Sequence, residues 1–99
     1  MSTTNAQAAT AETAITVHYW AAARSATGTA SDVFEVDGPV SLSEVVRRVR
    51  TAHPDDRASR VVDTCSVLVG DRPVNTQEPD EVVVLPGDTV EFLPPFAGG

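Results

Sequence analysis

The sequence predicts an α+β domain, a mixed sheet of four to five strands with one principal helix. Three observations carry that prediction. Ile15, Val17 and Tyr19 alternate with Thr16, His18 and Trp20, the period-two signature of a half-buried strand. Between Ser41 and Pro54 the period becomes helical, with Leu42, Val45, Val46 and Val49 at i, i+3, i+4 and i+7. Further on, short apolar runs are separated by Gly70-Asp71 and Pro86-Gly87-Asp88, and the last run, Thr89 to Leu93, alternates again.

Residues 1–13 (MSTTNAQAATAET) carry one charge and no bulky apolar group beyond the initial Met. They cannot bury enough surface to offset chain entropy, which predicts a disordered tail ahead of a domain over 14–93. After the first strand, Ala21 to Ser31 reads as a loop rich in Ala, Ser, Thr and Gly. Val33 to Val36 reads as a second strand ended by Asp37-Gly38-Pro39, most simply the return arm of an antiparallel hairpin. Ser41-Leu42-Ser43-Glu44 is a capping box, in which the Ser41 hydroxyl accepts from the Glu44 amide and the Glu44 side chain reaches back. Val40 and Val45 flank the cap as a hydrophobic staple. Arg47, Arg48 and Arg50 sit toward the negative end of the helix dipole. His53-Pro54 stops the helix, because the residue before proline avoids helical dihedrals.

Asp55 to Thr64 reads as a polar connection with Val61 and Val62 on a short helical turn. Cys65 to Val69 is a buried strand, turned by Gly70-Asp71 toward Arg72-Pro73-Val74. Asn75 to Glu81 is a polar connection and Val82 to Leu85 a short strand. In the final strand Val90 and Phe92 share one face, and Glu91 and Leu93 the other.

Ninety-nine residues hold one small domain with a thin core, and nearly exclude a two-domain enzyme. The longest apolar run, Tyr19 to Ala23, is five residues, far short of the roughly 20 that cross a bilayer. With no basic-plus-apolar leader, the expectation is a chain without membrane association. The single Cys65 is consistent with a reducing cytoplasm. Fourteen acids against seven bases give a net charge of −7, which disfavours nucleic acid and suits basic protein surfaces. All seven bases are arginine.

The usual catalytic sets are absent: no P-loop, no paired-cysteine metal motif, no GxSxG elbow. His18 and His53 read as structural or solvated, Cys65 as a small hydrophobe. Asp55-Asp56 and the Glu78, Asp80, Glu81 group read as solvated loops rather than metal sites. No bound cofactor is expected. The chemistry sits at 94–99. Pro94 and Pro95 keep that segment extended, and six residues reach roughly 20 Å at ~3.3 Å each. Gly98 and Gly99 lack side chains, so a narrow channel can admit the backbone and its α-carboxylate.

Leu93 to Gly99, LPPFAGG, resembles the terminus of the MoaD/ThiS sulfur-carrier family, on its MoaD branch, the small subunit of molybdopterin synthase. Trp20-Ala21-Ala22-Ala23-Arg24, running on to Gly28, resembles the family's aromatic-Ala-x-x-Arg-x-x-x-Gly segment. Pro86-Gly87-Asp88-Thr89-Val90 resembles its Gly-Asp-x-Val turn and last strand. The three segments stand in the family's order and cover about 15–99. The resemblance implies the ubiquitin-like β-grasp fold, with first and last strands parallel at the centre of the sheet.

It also implies a mechanism. A MoeB-like activating enzyme would use ATP to adenylate the Gly99 carboxylate, and sulfur would displace AMP to leave a thiocarboxylate. Within molybdopterin synthase, a MoaE-like large subunit would receive the tail, and sulfur would pass to cyclic pyranopterin monophosphate. This chain would then be the sulfur-donating, non-catalytic subunit of a transferase. Trp20, Arg24, Leu93, Pro94, Pro95, Phe96 and Ala97 would form the partner-binding surface around Gly98 and Gly99. Parity supports this. Trp20 and Leu93 are each out of phase with the core residues of their strands, so neighbouring parallel strands would project both away from the helix. Trp20 alternatively closes one end of the core, and Arg24 either pairs with a carboxylate, across an interface or inside its loop, or is an ordinary surface arginine. Three rivals remain: a carrier for thiamine or another thio-compound, a protein modifier acting through Gly99, and a binding module with an idle tail.

Overall fold

Every stretch with clear alternation lies in one sheet. The computed structural model describes residues 13–74 and 76–95. In chain order these form β1 (Ala14–Tyr19), α1 (Ala21–Thr27), β2 (Ser31–Glu35), β3 (Val40–Ser41), α2 (Leu42–Ala52), α3 (Asp56–Thr64), β4 (Ser66–Val69) and β5 (Arg72–Pro73). A 3-10 turn (Pro79–Glu81), β6 (Val83–Val84) and β7 (Thr89–Leu93) follow. The main sheet has the order β2-β1-β7-β4-β5, and β3 pairs with β6 in a separate ribbon. β1 and β7 are parallel at the centre, with Val17 opposite Val90 and Tyr19 opposite Phe92. β2 joins β1 and β4 joins β7, both antiparallel. The fold is the α+β, β-grasp arrangement expected. The expected N-terminal tail lies, apart from Thr13, outside the described residues.

The capped helix forms as its residues dictate. Ser41 Oγ accepts from the Glu44 N–H at 3.1 Å, and the His53 N–H closes the last turn on the Val49 carbonyl at 2.9 Å. Only half of the capping box appears. The Glu44 carboxylate is taken by Arg47 (2.9 and 2.6 Å) and Arg48 (2.8 Å). Those hydrogen bonds, Arg47's first, lower its pKa to about 2.

Two further helices correct the sequence reading. Ala21 to Thr27 is α1 rather than loop: three successive alanines have the highest helix propensity, and Gly28, at φ 80°, ends the helix in the left-handed region. With only Ala23 buried, α1 has no apolar stripe to betray it. Asp55 to Thr64 is likewise more than a turn. Asp55 Oδ2 caps α3 by accepting from the Ala58 N–H at 3.2 Å, and Ala58 and Val62 form its narrow buried stripe. The second strand starts at Ser31, not Val33, because Ser31 and Asp32 already pair with His18 and Val17.

The core is the sheet face of Ile15, Val17, Tyr19, Val90 and Phe92 against Leu42, Val45 and Val49 of α2 and Val62 of α3. Tyr19 stacks on Phe92, centroids 6.1 Å apart, and meets His53 edge-on at 5.6 Å. Asp32 takes a core-side position on β2 and is satisfied there. Its Oδ2 accepts from the Tyr19 hydroxyl at 2.8 Å and lies 2.6 Å from His53 Nε2. Burial, then the Asp32 carboxylate, push the Tyr19 pKa upward. The histidine that stops α2 thus ties that helix to β2.

Candidate functional site

The residues of opposite parity to the core build the second face of the sheet. β7 contributes Thr89, Glu91 and Leu93, all half-buried. His18 of β1 and Leu68 of β4 lie on either side of Glu91, and Ser66 beside Leu93. Val33 of β2 adds an exposed apolar group opposite Thr16.

Trp20 sits at the corner where β1 gives way to α1. Its backbone N–H extends the parallel ladder to the Phe92 carbonyl at 3.2 Å. Its side chain is 51% exposed, and the indole Nε1–H donates to Glu91 Oε1 at 2.7 Å. The next residue, Ala21, has φ 49°, a left-handed conformation that costs a non-glycine residue about 1–2 kcal/mol. That sharp turn buries Ala23 while Trp20 stays outside. The tryptophan therefore does not close the core, an end filled by Tyr19, Phe92 and Ala23.

Leu93 and Pro94 are half-buried and Pro95 is exposed. Phe96, Ala97, Gly98 and Gly99 lie outside the described residues, as does the extended geometry expected for them. Arg24 is exposed on α1 and forms no ion pair among the described residues, so the pairing inside its own segment does not form there. Trp20, Leu93, Pro94 and Pro95 share the end of the sheet from which the chain continues toward Gly99. The Trp20–Glu91 bond escaped the sequence reading, since alternation places a side chain on a face without naming its hydrogen-bond partner.

Two of the loop carboxylates have structural partners. Asp55 caps α3, and Asp80 accepts from the Ser43 hydroxyl. Among the described residues no group of three or more His, Cys, Asp or Glu side chains could hold a metal ion. No helix among them is long and apolar enough to cross a membrane. A cavity of ≈ 260 Å³ on the helix side, floored by Leu42, Val46, Val62 and Phe92, is flanked by the Arg50–Asp63 ion pair.

Cys65 is buried, and its thiol donates to the Val61 carbonyl at 3.2 Å. Burial pushes its pKa from 9.0 to about 11, so the thiolate is scarce at neutral pH. Iodoacetamide at pH 8 is expected to label the native protein far more slowly than the denatured one; equal rates would reveal an accessible thiolate. The raised folded pKa also fixes a sign. The contribution of this thiol to stability is complete below pH 9 and is lost as the pH rises toward 11.

The ThiS family model matches residues 17–99. The molybdopterin synthase sulfur carrier subunit of Aspergillus niger is 28% identical over 87 residues, which span 88% of this chain and 96% of that relative. SAMP1 from Haloferax volcanii superposes with a TM-score of 0.71 at 22% identity, covering 87% of this chain and 99% of that one. Urm1 from Trypanosoma brucei gives a TM-score of 0.68 at 23% identity, covering 88% and 96%. The two structural likenesses show the ubiquitin-like β-grasp fold.

Proposed function

This chain belongs to the ThiS family, and from that premise we propose that it is a sulfur carrier whose working atom is the carbonyl carbon of Gly99. The observation that carries the reading is the family match running through Gly99, with Pro94-Pro95 between the central strand β7 and the two terminal glycines. A carboxylate is a poor acyl donor. In the proposed cycle, the Gly99 carboxylate attacks the α-phosphate of ATP on a separate activating enzyme and releases pyrophosphate. Hydrosulfide then adds to the acyl carbon and expels AMP, and the thiocarboxylate forms with loss of a proton. The chain supplies reach and an unhindered acyl group; the partner supplies acid, base and substrate pocket.

Within the family we assign the chain to the molybdenum-cofactor branch, as the small subunit of molybdopterin synthase. It would donate sulfur to cyclic pyranopterin monophosphate held by the large subunit. Two features favour this branch over thiamine carriers: the Trp20-Ala-Ala-Ala-Arg24 segment and Pro94-Pro95. The name of the Aspergillus relative agrees with it. Trp20, Leu93, Pro94 and Pro95 are the described part of the docking surface. Arg24, exposed and unpaired among the described residues, is available to a carboxylate across the interface.

The test is direct. Incubated with a cognate activating enzyme, ATP and sulfide, the protein is expected to exchange one oxygen for one sulfur at Gly99, read by intact mass. An unchanged mass would refute sulfur carriage. An isopeptide adduct on a lysine of another protein would reassign the chain as a modifier.

A further inference from the structure

We propose that Glu91 makes the open sheet face selective for a partner that presents a lysine or arginine opposite the middle of β7, flanked by apolar groups that meet Trp20, Leu93 and Leu68. The inference rests on the docking reading above and adds the chemistry that the partner must bring. β7 is the middle strand of the sheet, and Glu91 is the middle residue of β7. On the three inner strands the open face carries Thr16, His18, Thr89, Glu91, Leu93, Ser66 and Leu68, so Glu91 is the one carboxylate of these strands, and Glu35 stands apart at the end of the edge strand β2. Around it stand the apolar groups Trp20, Leu93, Leu68 and, toward the edge, Val33, together with the polar His18 and Thr89.

Within the chain this carboxylate has a single described partner, and a neutral one. Oε1 accepts from the Trp20 indole at 2.7 Å. His18, opposite Glu91 in the parallel register, forms no ion pair with it. Arg47, Arg48 and Arg50 are committed to Glu44 and Asp63, and Arg24, Arg57, Arg60 and Arg72 form no ion pair among the described residues. Glu91 is half-buried, so water reaches its carboxylate while the face is open.

Covering the face removes that water. One indole N–H does not compensate a buried carboxylate, whose uncompensated burial is strongly unfavourable. A cation from the partner would replace the lost water with a charge-assisted hydrogen bond and would arrive beside the Trp20 ring, where an aromatic face adds attraction. The net charge of −7 draws a basic surface toward the chain before contact. A wholly apolar partner would meet the hydrophobic rim and still leave the centre unpaired. The occupant that fits is one cationic side chain with apolar groups beside it.

Titration calorimetry of the full chain with the molybdopterin synthase large subunit from the same source tests this, using Glu91→Gln and Leu93→Ala. Glutamine keeps the shape and an acceptor for Trp20 and removes only the charge; thermal unfolding confirms that both variants are folded. Glu91→Gln is expected to weaken binding about thirtyfold or more, as loss of a buried charge pair does, and to flatten its salt dependence. If Leu93→Ala weakens binding while Glu91→Gln leaves it unchanged or tightens it, the face docks without a cation and the proposal falls, with the docking reading intact. If neither variant changes the affinity, the face is not the interface, and both readings fall together.

Discussion

Deleting Gly99 is expected to abolish sulfur loading and transfer while leaving the unfolding transition of the domain where it is. The two halves of that result have separate causes. The last core residue among those described is Phe92, and the described chain beyond it is a half-buried Leu93, a half-buried Pro94 and an exposed Pro95. Gly99 lies six residues past the end of β7; the ladder pairs of that strand and the described core are complete without it. The reacting carboxylate, by contrast, retreats by one residue, ~3.3 Å. A displacement of even 1 Å at a reacting centre can cost about 100-fold in rate, so the activating enzyme should meet an acyl group out of reach. Intact mass after incubation with ATP and sulfide reads the first half, and a thermal melt reads the second. A truncated protein that still loads would move the chemistry elsewhere. One that melts early would show the end of the chain to be part of the globule.

Phe92→Ala is expected to have the reverse profile, a large loss of stability from a residue with no chemical role. Phe92 is 1% exposed on the central strand, stacks on Tyr19 and pairs across β4 with Val67. It already borders the cavity under α2, which the truncation would enlarge. Phe-to-Ala changes in cores cost about 3–5 kcal/mol, a large share of the roughly 5–15 kcal/mol that holds a small domain together. In a chain of this size that corresponds to a fall in melting temperature of about 15–30 °C. Leu93→Ala, one residue further on the opposite face, should cost less than about 1 kcal/mol. Chemical denaturation of the pair measures the difference. Equal losses would mean that β7 does not divide its side chains between core and open face as the register implies.

How far the fold could be read from sequence followed from the physics of each signal. The strand at 15–20, the last strand and the capped helix at 41–53 were legible because one buried face imposes a period, and a Ser-x-x-Glu box marks a start. Helix α1 was not, because alanines pack in a loop or a helix with the same composition and only Ala23 is buried. Helix α3 hid for a similar reason: two buried residues among charged ones make too thin a stripe to set a period. Asp32, on the core side of β2, gave no apolar signal for the start of that strand, and its partners, Tyr19 and His53, lie 13 and 21 residues away. The same division runs through the candidate site. Parity put Trp20 and Leu93 outside the core; the Glu91 partner of Trp20, 71 residues distant, required the parallel pairing of β1 and β7.

By itself, then, the order of residues determined the local periods, the turns, the helix cap, and the pairing of a stiff proline segment with two glycines behind the last strand. Each depends on neighbours a few positions apart. Tertiary structure alone decided which strands meet, which polar groups find partners, and that the Glu91 carboxylate stands mid-sheet beside Trp20, Leu93 and Leu68. Those depend on residues brought together from opposite ends of the chain, and no local pattern encodes where a distant hydrogen-bond donor will come to rest.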